Sequence, residues 1–310
     1  MKTKITLFGL SLFFSLQTFS QSPNWLWAKS AGGTSDDYAR SVTADASGNI
    51  IATGYFSSPS ITFGSTTLTN ADNTGNTADI FIVKYDAAGN VLWAKSAGGT
   101  SNEYAYSVTT DALGNIIAAG IFNSSTITFG STTLSGNMFI VKYDASGNVL
   151  WAQSSGGSWS DYLYSVTSDV SGNIIAAGYF ASPSITFGST TLTLVGGWDM
   201  FIVKYDAAGN VLWAKSAGGT TYDVAYSVTA DASGNIIAAG YFDGSTLTFG
   251  STTLFNTGND DMFIVKYDAA GNVLWAKSAG GTNSSYEYAR SVTADASGNI
   301  IAAGYFNSTT

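Results

Sequence analysis

Apolar and polar positions alternate along short runs in this chain, and the same runs return along its whole length. Ser-Val-Thr-Ala-Asp (41–45), Asn-Ile-Ile-Ala-Thr-Gly-Tyr-Phe (49–56), Ile-Phe-Ile-Val-Lys-Tyr-Asp (80–86) and Val-Leu-Trp-Ala-Lys-Ser (91–96) are rich in β-branched and aromatic residues and free of proline. That pattern predicts four strands per unit. Sustained helical periodicity is missing throughout, so the chain is predicted to be all-β.

The repeat is exact over long stretches. Phe-Ile-Val-Lys-Tyr-Asp-Ala-Ala-Gly-Asn-Val-Leu-Trp-Ala-Lys-Ser-Ala-Gly-Gly-Thr occurs verbatim at 81–100, 201–220 and 263–282, with a variant at 139–158. Trp27, Trp93, Trp151, Trp213 and Trp275 mark one equivalent position, 66, 58, 62 and 62 residues apart. Asp-x-x-Gly-Asn stands between the first and second strands and between the third and fourth, nine times from Asp45 to Asp295. An aspartate can bind the backbone two residues on and the glycine supplies a positive φ, so each is predicted to be a hairpin turn. A calcium loop is the alternative, but one carboxylate per turn falls short of the six to eight oxygens calcium usually takes. Thr-Phe-Gly-Ser-Thr-Thr-Leu recurs at 62–68, 128–134, 186–192 and 248–254 and predicts a small extra hairpin between strands two and three.

A four-stranded antiparallel unit cannot bury both faces alone, and radial stacking of such units solves this. A unit of about 62 residues is too long for one solenoid coil and too short for an immunoglobulin-like sandwich. The expected fold is a β-propeller with blades at about 31–96, 97–154, 155–216, 217–278 and a partial one at 279–310. Five blades are visible, incomplete or open. The strand-four Trp is expected to form the blade-to-blade contact, facing the small residues of strand two at Gly54, Gly120, Gly178, Gly240 and Gly304. The partial last blade reads as a fragment, because closure would pair strands two and four in parallel.

Leu-Trp-Ala-Lys-Ser-Ala-Gly-Gly (92–99), Asp-Ala-Ser-Gly-Asn-Ile-Ile-Ala-Ala-Gly-Tyr-Phe (231–242) and Met-Phe-Ile-Val-Lys-Tyr-Asp (262–268) resemble the SBBP-type bacterial β-propeller repeat. The resemblance covers essentially all of 25–306. It implies an exported bacterial surface protein, and the leader and Ser/Thr/Asn-rich style resemble proteins of the Bacteroidetes. No catalytic residue comes with it.

Lys2 and Lys4 precede an apolar run from Ile5 to Leu16 and then Thr18-Phe19-Ser20. A signal peptide over 1–20 is therefore expected, with the repeat domain over 21–310 and an extracellular, cell-surface or periplasmic location. The apolar run is too short to span a membrane. Removing those two lysines from the formal charge of −9 leaves −11, which argues against nucleic acid as a partner. The chain has no Cys and no His, so disulfides, thiolate metal sites and the commonest general base are all absent. No catalytic, cofactor or metal residue is predicted.

The short turns fall on one face of the array; the blade-to-blade loops and the strand-two-to-three inserts fall on the other. Loops on a rigid scaffold are where binding usually resides. On that long-loop face an acid precedes strand one in every blade: Asp37, Glu103, Asp161, Asp223 and Glu287, followed by Tyr38, Tyr104, Tyr162, Val224 and Tyr288. Together with Trp159 and Trp198 these acids and tyrosines, Val224 excepted, are the candidate ligand contacts, as a ring of carboxylates and aromatic platforms. The competing reading is that the acids cap loop amides or pair with Lys of the Trp-Ala-Lys strand, and that the rings pack. The expected role is a non-enzymatic binding, adhesion or scaffold module for protein or polysaccharide. The alternatives are a structural spacer, or a carbohydrate-active enzyme using a carboxylate pair such as Asp161 and Asp199.

Overall fold

The computed structural model describes residues 24–307 except 73, 158–159 and 283–285. The leader expected over 1–20 and the candidate Trp159 lie outside the described residues. Four sheets of four antiparallel strands follow one another, and a two-stranded sheet ends the series. In the first unit the strands are Asp37–Ala44, Ile50–Phe56, Asp79–Tyr85 and Val91–Ala97, hydrogen-bonded in chain order. The hairpin Ser60–Phe63 with Thr66–Thr69 is inserted between the second and third. The last unit holds only Glu287–Ala294 and Ile300–Phe306. Among the described residues there is no helix, and none long and apolar enough to cross a membrane.

Each Asp-x-x-Gly-Asn segment forms the expected turn. In the first, Asp45 Oδ1 accepts the amides of Ser47 and Asn49, Asn49 Nδ2 donates to Asp45 Oδ2 at 2.8 Å, and Gly48 has φ 77°. The aspartate between strands one and two also pairs with the strand-three lysine: Lys84–Asp45, Lys142–Asp111, Lys204–Asp169 and Lys266–Asp231, at 2.8–3.0 Å. Burial works to raise the Asp45 carboxyl, but the hydrogen bonds from Asn49 and Lys84 outweigh it and hold the pKa at about 2.

First strands of consecutive blades lie side by side on the inside of the array. The amide of Val108 donates to Ser41 Oγ at 3.2 Å, and the same bond joins Val166 to Ser107, Val228 to Ser165 and Val292 to Ser227. Between the sheets the core is a series of seams. In one, Ile117, Ala119 and Ile121 of the second blade meet Leu163, Val166, Ala176 and Phe201 of the third. The inserted hairpin belongs to this core, because Ile185, Phe187 and Leu192 turn inward and fill the outer part of the seam. Its alternation of apolar and polar residues is that of a half-buried strand pair, with Ser184 and Thr side chains left outside.

Two expectations about these seams need correction. The strand-four Trp does bridge blades, but it does not face strand two. The Trp93 indole donates to the carbonyl of Ala145 at 3.2 Å and lies 6.1 Å from the Tyr143 ring, beside Gly147 in the next blade's turn. Trp27, Trp151 and Trp213 repeat the contact on Ala87, Ala207 and Ala269. The strand-two glycines instead make room for a bulge in strand one. A Cβ at Gly120 would overlap the carbonyl oxygen of Tyr104, and one at Gly54 that of Tyr38.

The array is propeller-like, and its sheets are not closed into a ring. Val42 on the first blade is 67% exposed, whereas the equivalent Val108 is 5% exposed. The outward face of Ile300–Phe306 is likewise uncovered.

Candidate functional site

The strand-one bulge positions the candidate site. Pairing of strands one and two skips one residue in the first, second, third, fourth and fifth units: Arg40, Tyr106, Tyr164, Tyr226 and Arg290. A bulge adds a residue to one strand and re-aims its side chain, and here only glycine opposite leaves space for it. The re-aimed residue joins the Tyr two positions earlier and the Tyr at the end of strand two, paired as Tyr38 with Tyr55, Tyr162 with Tyr179 and Tyr288 with Tyr305. All sit at the strand ends opposite the tight turns, on the long-loop side.

The outcome is a continuous aromatic belt across five units. Successive ring centroids lie 5.1 Å apart for Tyr38–Tyr55, 4.7 Å for Tyr55–Tyr104, 5.6 Å for Tyr106–Tyr164, 5.4 Å for Tyr164–Tyr226 and 4.8 Å for Tyr288–Tyr305. An arginine sits at each end. Arg40 donates to the Tyr55 hydroxyl at 2.9 Å, and the Arg290 guanidinium carbon stands 3.9 Å from the Tyr226 ring centroid. Burial raises the phenols of Tyr106, Tyr164 and Tyr226, so they stay neutral donors. The belt can stack on a flat apolar face and offer hydroxyl and guanidinium donors at its margin. Sequence reasoning named Tyr38, Tyr104, Tyr162 and Tyr288 but missed the bulge residues. Their signal was present as Tyr or Arg in every unit at one repeat position.

The candidate acids stand behind the belt and hold the loops. Asp161 accepts the amides of Gly157 (2.6 Å), Ala181 and Ser182 and the Ser182 hydroxyl. Glu103 accepts from Gly99 and Ser124, Asp223 from Gly219, Glu287 from Gly281, and Asp37 from Gly33 and Ser58. Glu103, Asp161, Asp223 and Glu287 are all buried. Each faces a residue of the preceding blade that opens or immediately precedes its third strand, Asp79, Asn137, Asp199 or Asp261, of which the sequence singled out Asp199 alone. Asn137 donates to Asp161 at 3.4 Å. Burial, reinforced by the facing Glu103 and by Asp72, pushes Asp79 up to about 7; burial, with Asp199 and Asp243, does the same for Asp223. Asp79 Oδ1 and Asp223 Oδ1 are buried without a hydrogen-bond partner.

Trp198 is sandwiched between Tyr179, 4.6 Å away and stacked, and Tyr222 at 4.5 Å. Tyr222 keeps an open face to solvent. Asp199, offered above as a catalytic partner of Asp161, is buried and accepts the amides of Val195 and Gly196. Among the described residues no group of three or more acidic side chains is arranged to hold a metal ion.

No family model matches the chain. It is 26% identical over 334 residues to an uncharacterized WD repeat-containing protein of Acanthamoeba polyphaga mimivirus, covering 86% of this chain and 24% of that protein. A second relative is the regulatory protein FlaEY of Caulobacter vibrioides, 29% identical over 146 residues, covering 43% of this chain and 14% of that one. The chain thus spans a quarter or less of the curated relatives it matches. Among solved structures, a protein of unknown function from Bacteroides caccae aligns with TM-score 0.36 at 12% identity, over 78% of this chain and 81% of that one. Sqt1 from Chaetomium thermophilum aligns with TM-score 0.30 at 7% identity, over 88% of this chain and 95% of that one. The mimivirus relative, a WD repeat-containing protein by name, agrees with the architecture on one point: this is a repeat protein of four-stranded, propeller-like β-units.

Proposed function

We propose that the chain is an exported, non-enzymatic binding module that engages an extended ligand, polysaccharide or protein, at the bacterial cell exterior through the aromatic belt on its long-loop face. The observation that carries this reading is the occupancy of the bulge position: Tyr or Arg in all five units, with the rings joined from blade to blade. A bulge that served only to bend the strand would accept any side chain, whereas Tyr and Arg are the residues most enriched at binding hot spots. The leader-like sequence at 1–20 and the SBBP-like repeats support export. The acids are scaffold in this reading, since each gives at least one carboxylate oxygen to a loop amide.

The test is a double substitution, Tyr106→Ala with Tyr164→Ala, screened against arrayed polysaccharides and cell-surface proteins. Loss of about tenfold or more in affinity for whatever the parent chain retains is expected, measured well below the thermal midpoint, which the loss of two half-buried rings lowers. Absence of any retained ligand on a broad array would favour a spacer role and remove the proposal.

A further inference from the structure

The repeat supplies two sets of lysines, and the structure uses them differently. Those of the third strand, Lys84, Lys142, Lys204 and Lys266, pair with turn aspartates at 2.8–3.0 Å. Lys95 and Lys215, two residues after the seam tryptophans, make no ion pair and no hydrogen bond among the described residues. Each stands instead at a cleft on the outer rim, between its own blade and the next.

The two clefts hold about 450 and 320 Å³, within the range of about 300–1,000 Å³ that small-molecule sites occupy. Both lie at internal seams and are built from the same repeat positions. Lys95 and Ser96 come from one blade; Phe129, Ser131, Tyr143 and Asn148 come from the hairpin tip and the turn of the next. Lys215, Ser251 and Tyr267 take the corresponding places in the second cleft. The seam between the second and third blades carries Gln153 at the lysine position and lacks the charge.

Two observations point to a ligand. Tyr143 and Tyr267 line the clefts and are each 3% exposed, yet neither hydroxyl makes a hydrogen bond among the described residues. Burial alone raises both phenols, so each stays a neutral donor, and a buried donor without an acceptor is costly. The lysine is positioned too. A Cβ at Gly147 would overlap Lys95 Cε and the Trp93 ring, so glycine lets the lysine stem lie along the turn. Asp144, the acid of that turn, accepts the amides of Ser146 and Asn148 and Asn148 Nδ2, and makes no ion pair with Lys95.

One ammonium among neutral hydroxyl donors matches a single carboxylate on a polar ligand; the second charge of a phosphate would go unmatched. We propose that each cleft binds one hexuronate unit of an acidic polysaccharide. The carboxylate meets Lys95 or Lys215, and sugar hydroxyls meet Tyr143 with Ser131, or Tyr267 with Ser251. The clefts adjoin the tight turns, away from the aromatic belt, so this site does not depend on the belt's role.

Titration calorimetry of the whole chain with tetragalacturonate tests this, with uncharged maltotetraose and with acetate as the bare carboxylate. Tetragalacturonate should bind at least about tenfold more tightly than either. Lys95→Gln with Lys215→Gln should weaken it by about tenfold or more, and Tyr143→Phe with Tyr267→Phe by about threefold or more. Gln153 shows that the fold accepts glutamine at this position, and the phenol hydroxyls have no partner to lose. Neither pair of substitutions should therefore lower the thermal midpoint. The proposal is overturned if tetragalacturonate does not bind at millimolar concentration, or if maltotetraose or acetate binds equally well. Undiminished affinity in either substituted pair overturns it as well.

Discussion

The indole N–H of Trp93 donates to the carbonyl oxygen of Ala145 at 3.2 Å, across the boundary between the first and second blades. The same oxygen accepts from Lys84 Nζ at 3.4 Å, so one turn carbonyl takes two donors from the neighbouring sheet. Trp93→Ala removes the ring and leaves that carbonyl with the lysine alone. A loss of about 2–4 kcal/mol in unfolding free energy is expected, below the value for a fully buried ring because Trp93 is half-exposed. Trp275, for which no such carbonyl partner is present among the described residues, should tolerate alanine with a smaller loss. Equal losses in chemical denaturation would contradict this role for the Trp93 seam contact.

The facing acids at the blade seams make stability depend on pH. Asp79 and Asp223 rise to about 7 from an ordinary value of 3.8. A carboxyl raised in the folded state contributes stability that is complete below the unfolded value and is lost as pH climbs through the folded one. Thermal midpoints should therefore fall between about pH 4 and 7 and level off above, as far as these two groups govern them. Asp79→Asn and Asp223→Asn should raise the midpoint at pH 8 and flatten that slope. The second seam already has the amide, with Asn137 donating to Asp161. A decrease in stability at pH 8 on both substitutions would exclude the account.

Gly120→Ala tests what the strand-two glycines are for. The added methyl meets the Tyr104 carbonyl and the Ala105 backbone, neither of which can move without undoing the bulge. A cost of about 2 kcal/mol or more is expected, together with weaker ligand binding as Tyr106 is displaced. Gly114→Ala has open space around it but φ 78°, so only backbone strain of about 1 kcal/mol should appear. Similar costs at both sites would remove the argument that the bulge requires Gly120.

The aspartate turns, the four strands per unit and the inserted hairpin were legible because each rests on local chemistry within a few residues. Asp45 bonding Ser47 and Asn49 needs no knowledge of the rest of the molecule. Sequence also placed Tyr104 and Glu103 on the loop side, since the Asp111 turn closes the other end of their strand.

What tertiary structure decided is how one sheet meets the next. The sequence marks Trp93 as a bridge, but its partner is a turn 52 residues away, chosen by the relative position of two separate sheets. The bulge at Tyr106 shows only in the register, and with it the purpose of Gly120 and the gathering of the tyrosines. The burial of Glu103 against Asp79 follows from the same stacking. Repetition in the chain dictated the unit; the packing of unlike faces, which no local pattern encodes, determined the belt and the seams.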